Sequence, residues 1–393
     1  MKKRPDFICI GFQKCGTTSL YDLLKQHPNV YLTEDVKEPM FYRVPLVRRI
    51  LGASWYEKRY FGHYEAARKA AASGRQKTAD SVGLLTGRRG RTSGDKSSAV
   101  KTASKKESSA SNTQNILKDS EKAAVNTKNM QLYTGEVNAG LGFGGCARWL
   151  GKDFPHDTKL IFMMRDPADR CYSAYKYFLA LGFLPMSVVA DDKKRGHAAA
   201  FDTYVRSVLL NPRRRKEIMK KRMKYLCFSQ GNYAYCIQEY LRYFSKENMK
   251  FVFFEDFIRD EERETKDILH FLQIPENPEM TFGVKSNETN FRPASPLRSK
   301  IMYYSQGIYY TLFEFLNLGH SHPGFFQKYT NFYDWIMDTC TRSETDTSKM
   351  LPATRRLLNY YYRNEIRKVE KLAGRKAPES WARDDKGKTK TKA

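Results

Sequence analysis

The chain has 393 residues, 41% hydrophobic and 13% aromatic, enough to build a substantial core in one large domain or two ordinary ones. Lys and Arg number 69 against 43 Asp and Glu, and the formal net charge of +26 points to a polyanionic partner: nucleic acid, an acidic membrane surface, an anionic polysaccharide or a phosphorylated cofactor. No apolar run is long enough for a transmembrane helix, and the seven cysteines form no CxxC pair and no Cys/His cluster at zinc spacing.

The opening "MKKRPDF" is basic, but the apolar stretch after it is short and interrupted by Gln13 and Lys14, so it reads as the approach to a strand and not as a signal peptide. Phe7 to Phe12 is a short apolar run bounded by turn residues, the pattern of a buried parallel strand. Leu20, Leu23 and Leu24 repeat at helical spacing between Thr17 and Gln26, "HPNV" closes that helix, and "NVYL" follows as a second strand. "SWYEKRYFGHY" reads as packed helix or loop. From about 66 to 128 the composition turns to Ser, Ala, Thr, Gly, Lys and Arg with almost no aromatics, and this stretch is expected to be a disordered basic insertion. Order resumes with the strand and Gly-rich turn of "MQLYTGEVNAGLGF". "TKLIFMMRDP" is a continuous apolar strand stopped by Arg165, Asp166 and Pro167, and Pro167 opens the helix "PADRCYSAYKYFLAL". A second basic block lies between about Asn211 and Leu226. "NYAYCIQEYLRYF" and "EERETKDILHFLQI" read as helices, "MKFVFFEDF" between them as a strand, and the stretch from Pro352 to Leu372 as a final amphipathic helix. Strands alternating with helices predict an α/β three-layer sandwich around a mainly parallel sheet. One domain is expected over 1–380, with 381–393 a basic tail.

Two stretches carry chemistry. Gly11 and Gly16 have the spacing of a nucleotide-binding P-loop, but Thr17 stands where its lysine belongs, and Lys14 lies inside the loop. The amides of about Cys15 to Ser19 can still wrap an anion at a helix N-terminus, with Thr17, Thr18 and Ser19 adding hydroxyls, in a phosphate site without the usual magnesium apparatus. A lysine curled over such a loop puts a cation on a bridging oxygen, which suits a phosphate leaving group. Arg165 ends a strand, where open α/β sheets place ligands, and Ser173 lies about two helical turns on; together they suit a second phosphate.

With both stretches in view, the chain resembles the sulfotransferases that use 3′-phosphoadenosine-5′-phosphosulfate (PAPS). "GFQKCGTTSLYDLL" is similar to their 5′-phosphosulfate loop, and "RDPADRCYSAYKYF" to their 3′-phosphate motif R-x-P-x-x-R-x-x-S-x-Y. The resemblance implies that Lys14 is the catalytic lysine, that Gln13, Cys15, Gly16, Thr17, Thr18 and Ser19 hold the donor with it, and that Arg165 and Ser173 grip the 3′-phosphate. "KEPMFY" is similar to the K-E-P-x-F-F of Golgi-type carbohydrate enzymes, and "TGEVNAGLGF" to the G-E-x-x-P element of the N-acetylgalactosamine 4-sulfate 6-O branch, without its proline. On that basis Glu38 is the expected general base, with Lys37 and Glu136 at the acceptor and Glu136 the reserve base. A clean adenosine-capping K-G-R segment is missing; Lys285, Asn287 and Arg292 are its nearest stand-ins.

The resemblance implies sulfuryl transfer from PAPS, without a metal, to a hydroxyl of a glycosaminoglycan-like anionic acceptor, with PAP as product. It implies the Golgi lumen, while the lack of a visible signal or anchor leaves the cytoplasm open. Sulfation of a small-molecule alcohol is the alternative reaction. A polyanion-binding or nucleic-acid-binding protein is the non-enzyme alternative, but no RRM, KH or zinc motif supports nucleic acid.

Overall fold

The computed structural model describes residues 4–33, 36–72, 131–142, 145–220, 223–283, 291–293, 295–310, 323–343 and 348–382. Its centre is a five-stranded, all-parallel sheet built from β1 (Phe7–Gly11), β2 (Val30–Leu32), β3 (Tyr133–Asn138), β4 (Lys159–Met164) and β5 (Met249–Phe253), in the order β2-β3-β1-β4-β5. β1 is central and buried along its whole length, as its unbroken apolar run requires. The two-residue period of the strands sorts their side chains. Ile8, Ile10, Leu160 and Phe162 face one layer, and Phe7, Cys9, Ile161 and Met163 face the other.

On the second face pack α1 (Thr17–Gln26), through Leu20, Leu23 and Leu24, and the helix Glu261–Leu272, through Ile268, Leu269 and Leu272. The first face is covered by α2 (Pro45–Phe61), α3 (Tyr64–Ala72), α4 (Cys146–Asp153) and the helix Tyr233–Tyr240, with a dense aromatic group around Tyr42, Tyr56, Tyr60 and Phe154. A separate core gathers on α5 (Pro167–Ala180), α6 (Met186–Arg195), α7 (His197–Leu209) and α8 (Pro212–Ile218), closed by α9 (Leu226–Ser229) and by the long helix Pro352–Ala373. In chain order the remaining helices are α10 (Tyr233–Tyr240), α11 (Phe254–Arg259), α12 (Glu261–Leu272), α13 (Pro296–Tyr310), α14 (Pro323–Cys340) and α15 (Pro352–Ala373). A short antiparallel pair, β6 (Phe291–Pro293) with β7 (Thr341–Ser343), packs against α5.

Four boundaries differ from the sequence reading. α3 runs to Ala72, seven residues into the expected insertion; 73–128 lies outside the described residues. The strand read over "MKFVFFEDF" stops at Phe253, and α11 begins at Phe254 with Glu255 and Asp256 in its first turn, where a helix N-terminus favours acids. The helix read over "NYAYCIQEYLRYF" starts at Tyr233 and is over by Tyr240. Finally, Trp381 is a core residue and not part of a tail. It is 1% exposed, lies edge-on to Phe253 at 5.1 Å, and its Nε1–H donates to Glu255 Oε2 at 2.8 Å. All seven cysteines are buried and stand outside any disulfide. Among the described residues no helix is long and apolar enough to cross a membrane.

Removing a buried indole of this kind costs about 3–5 kcal/mol. Trp381→Ala is therefore expected to lower the unfolding free energy from urea titration by that amount, and Trp381→Phe, which keeps the ring contact and loses the Glu255 bond, by less. A Trp381→Ala chain as stable as the parent would remove the C-terminal turn from the cooperative unit.

Candidate functional site

β1, β3 and β4 end side by side, with Ile10 in register with Asn138 and Gly11 with Met163. The loop after β1 turns through two left-handed residues, Lys14 (φ 69°) and Gly16 (φ 88°). Glycine is required at 16, since a Cβ there would lie 2.4 Å from the Phe254 ring. Lys14 is not a glycine, and a left-handed conformation at such a residue is uncommon enough to mark the loop as built for something. Gly16 is also the N-cap of α1 and brings no side chain, so no side-chain cap bonds the helix's first turn, which makes that turn a candidate anion cradle.

One amide of the expected wrap, that of Cys15, is spent internally, as is that of Gln13 before it. Gln13 N–H donates to Gln230 Oε1 and Cys15 N–H to the Phe12 carbonyl, each at 3.2 Å. The cradle therefore runs from Gly16 to Ser19. The Cys15 thiol is fully buried 3.7 Å from the Tyr233 hydroxyl, and burial pushes it up to about 11, so it stays protonated.

Arg165, at the end of β4, reaches across to this loop. Its Nη1 donates to the Lys14 carbonyl at 3.3 Å, and its guanidinium lies 4.9 Å from the Phe254 ring centre. Its own carbonyl accepts from Tyr233 Oη at 2.7 Å. Lys14 Nζ sits 5.2 Å from the Tyr177 ring centre. Burial, then the charges of Arg165 and Lys176, bring the Lys14 ammonium down to about 8.

The carboxylates of this corner are engaged elsewhere. Asp166 caps α5, accepting from Ala168 N–H at 2.8 Å and Asp169 N–H at 3.0 Å. Asp166 and Asp169 both face Arg355, and Glu255 accepts from the Asp166 amide at 2.8 Å and from Trp381. Ser173 is half-buried on α5, the helix on which the β6 strand carrying Arg292 packs. Lys285 and Asn287 lie outside the described residues.

The segment after β2 comes to the same sheet edge. Asn138 Nδ2 donates to the Pro39 carbonyl at 2.8 Å and to Glu136 Oε1 at 2.7 Å, while Tyr56 Oη donates to Glu136 Oε2. Lys37 and Glu38 are half-buried just before that anchor. Lys37 Nζ lies 5.3 Å from the Tyr21 ring centre, and burial lowers its pKa despite the opposing pull of Glu38 and Asp22. Glu136 is 0% exposed. Its oxygens point into the aromatic layer, so from this position it supports the Pro39 turn and does not present itself to a ligand.

Several residues of this site went unread in the sequence. Lys176 and Tyr177 sit in the quoted "YSAYKYF", both between two and three turns after the start of α5 at Pro167, but tyrosine at helical spacing signals core first. Gln230, 3% exposed, holds the Gln13 amide, and Arg170, 0% exposed, donates to the Cys227 carbonyl of α9, three residues before it. Gln230 Nε2, Gln13 Oε1, and Arg170 Nε and Nη1 are buried without a hydrogen-bond partner among the described residues. Only the small cluster "SQGNY" after the basic block hinted at a fixed turn there.

The comparisons with known proteins follow this geometry. Residues 150–290, which include Arg165, Ser173 and Gln230 but not the Lys14 loop, match the sulfotransferase domain family. Human carbohydrate sulfotransferase 15 is 28% identical over 178 residues, covering 44% of this chain and 27% of its own, so the match spans about a quarter of that protein. The crystal structure of a sulfotransferase from Alicyclobacillus acidocaldarius aligns over 97% of this chain and 100% of its own, at 18% identity and a TM-score of 0.46. Residues 150–290 thus match a sulfotransferase domain, and over part of its length the chain is similar to a carbohydrate sulfotransferase.

Proposed function

We propose that this chain is a single-domain, PAPS-dependent sulfotransferase whose acceptor is a hydroxyl of an anionic carbohydrate. The observation that carries the reading is the meeting of the two anion motifs, 151 residues apart in the chain, where Arg165 Nη1 donates to the Lys14 carbonyl. Cations gathered at an uncapped helix start, with the local carboxylates tied up, fit a donor that brings a 5′-phosphosulfate and a 3′-phosphate. The acceptor class draws support from "KEPMFY", from the +26 charge, and from the name of the human relative. By the same resemblance we propose the Golgi lumen as its compartment.

In this reading the Gly16–Ser19 amides take the 5′-phosphate, and Arg165 and Ser173 take the 3′-phosphate. The acceptor oxygen forms a bond to sulfur as the bond from sulfur to the bridging oxygen breaks. That electron pair stays on the bridging oxygen, where the Lys14 ammonium neutralises it, and PAP leaves. The hydroxyl proton goes to Glu38. Lys37 lies at the acceptor, and Glu136 acts from behind, through Asn138, on the backbone that carries Lys37 and Glu38.

The direct test is incubation with PAPS and a panel of desulfated chondroitin, a heparan precursor polymer and small alcohols, with mass-spectrometric detection of sulfate esters. Esters on a polymer are expected; esters on small alcohols alone would move the acceptor to that class, and none on any acceptor would count against the reaction. Lys14→Ala is expected to lower kcat about 10²–10³-fold, the cost typical of a lost charge-stabilising donor, and to weaken PAP binding as well.

A pH series checks the electrostatics. Below about 8 Lys14 is charged in the free protein; above it the ammonium must be re-protonated to bind an anion. PAP affinity is then expected to hold steady up to about pH 8 and to fall by as much as about tenfold per unit above it, each unit being 1.36 kcal/mol of coupling. Lys14→Arg should flatten the curve; an unchanged slope would remove Lys14 from the donor site. Gln230→Leu, which leaves the Gln13 amide without its acceptor, is expected to weaken PAP about tenfold, the scale of one hydrogen bond. Calorimetry giving parental affinity would show that the loop holds its shape without Gln230.

A further inference from the structure

The turn between α5 and α6 and the helix α13 enclose a groove of about 430 Å³, a size suited to a sugar-sized ligand. Phe183, Met186, Tyr303 and Tyr304 form its apolar walls, and its two cations, Lys224 and Lys300, come from different parts of the chain. No carboxylate lines it among the described residues. Tyr304 is 65% exposed, and Lys224 and Lys300 are exposed, so all three can be reached from solvent.

The groove is pre-formed. Gly182 (φ 76°) brings the turn so close to α13 that a Cβ would lie 2.0 Å from the Ser299 carbonyl oxygen, and Gln306 Nε2 donates to the Leu181 carbonyl at 3.3 Å. It is also linked to the reaction centre by a run of rings. Lys14 Nζ sits 5.2 Å from the Tyr177 ring, Tyr177 lies 5.7 Å from Phe178, Phe178 lies 5.7 Å from Phe183, and Phe183 lies 5.6 Å from Tyr303.

We propose that this groove is a remote acceptor subsite that holds one anionic sugar unit of a polymer whose hydroxyl reacts at Lys14. The Tyr303 and Tyr304 rings offer faces to a sugar ring, while Lys224 and Lys300 meet its carboxylate or sulfate. This deepens the carbohydrate reading above and rests on it. An apolar small molecule would have no use for paired cations at the rim, and a groove of this size takes one unit of a chain and leaves the neighbouring units free to reach the reaction centre. Lys224 is the last cation of the basic block between Asn211 and Leu226, and it is the one from that block among the groove's lining residues.

The test uses the full chain, with Lys224→Glu/Lys300→Glu and Tyr304→Ala as variants, all at exposed side chains. Probes are a chondroitin sulfate hexasaccharide, maltohexaose, a single-stranded oligonucleotide and, as a control on the fold and the donor site, PAP. The double variant should bind the hexasaccharide about tenfold more weakly or worse, with a shallower salt dependence, as charge reversal at a cationic rim requires. Tyr304→Ala should weaken it too, PAP affinity should not move in either, and KM for polymer should rise with kcat held. Equal hexasaccharide affinity in parent and double variant would overturn the proposal, as would tighter binding of the oligonucleotide or equal binding of maltohexaose. Loss of PAP binding by the parent chain would instead remove the transfer reaction, with the hexasaccharide arm still deciding the groove.

Discussion

Lys14 and Arg165 bring positive charge together at one sheet edge, and the surrounding structure holds them there. Two unit charges 4 Å apart near a protein surface repel by about 4 kcal/mol, and the Lys14 ammonium comes down to about 8 through burial first and then the charges of Arg165 and Lys176. The obvious relief would be a carboxylate from the neighbouring turn. Asp166, Asp169 and Glu255 are all close, yet each is committed: to the cap of α5, to Arg355, or to the Asp166 amide and Trp381. On the proposed reading a ligand with several negative charges completes this site.

Holding such a corner takes rigid parts from distant segments. Lys14 sits in a backbone conformation that only its neighbours can enforce, through the Gln230 acceptor behind Gln13 and the Arg165 donor on its own carbonyl. Tyr233 ties the Arg165 carbonyl to α10, and Trp381, from the far end of the chain, closes on Tyr233, Phe253 and Glu255. Arg170 extends the same framework to α9, with a buried charge and two unfilled donors, an arrangement that favours one arrangement of the interior over the tightest packing.

The sequence was most informative where physics is local. The apolar runs of β1 and β4 are buried on both faces and could hardly be anything but central parallel strands, and Pro167 after Asp166 is a cap followed by a first-turn proline. Lys14 and Arg165 were readable because each breaks a local rule: a lysine inside a glycine loop, and a charge ending an apolar strand. What stayed hidden was non-local. Gln230 has no local reason to be buried and matters only because β1's loop arrives beside it. Glu136 read as a candidate for chemistry because an acid in a strand stands out, but its neighbours across the chain, Tyr56 and Asn138, draw it inward. The α13 groove was illegible for the same reason, since its lysines come from segments that only the fold brings together.

The measurement that bears most directly on this account is calorimetric titration of the purified chain with PAP, beside ATP with magnesium, in the parent protein and in Arg165→Ala. The account predicts tight PAP binding in the parent, much weaker ATP binding, and loss of PAP affinity in the variant while its fold is retained. A folded parent chain that binds no PAP, or one that binds PAP equally well without Arg165, would contradict it.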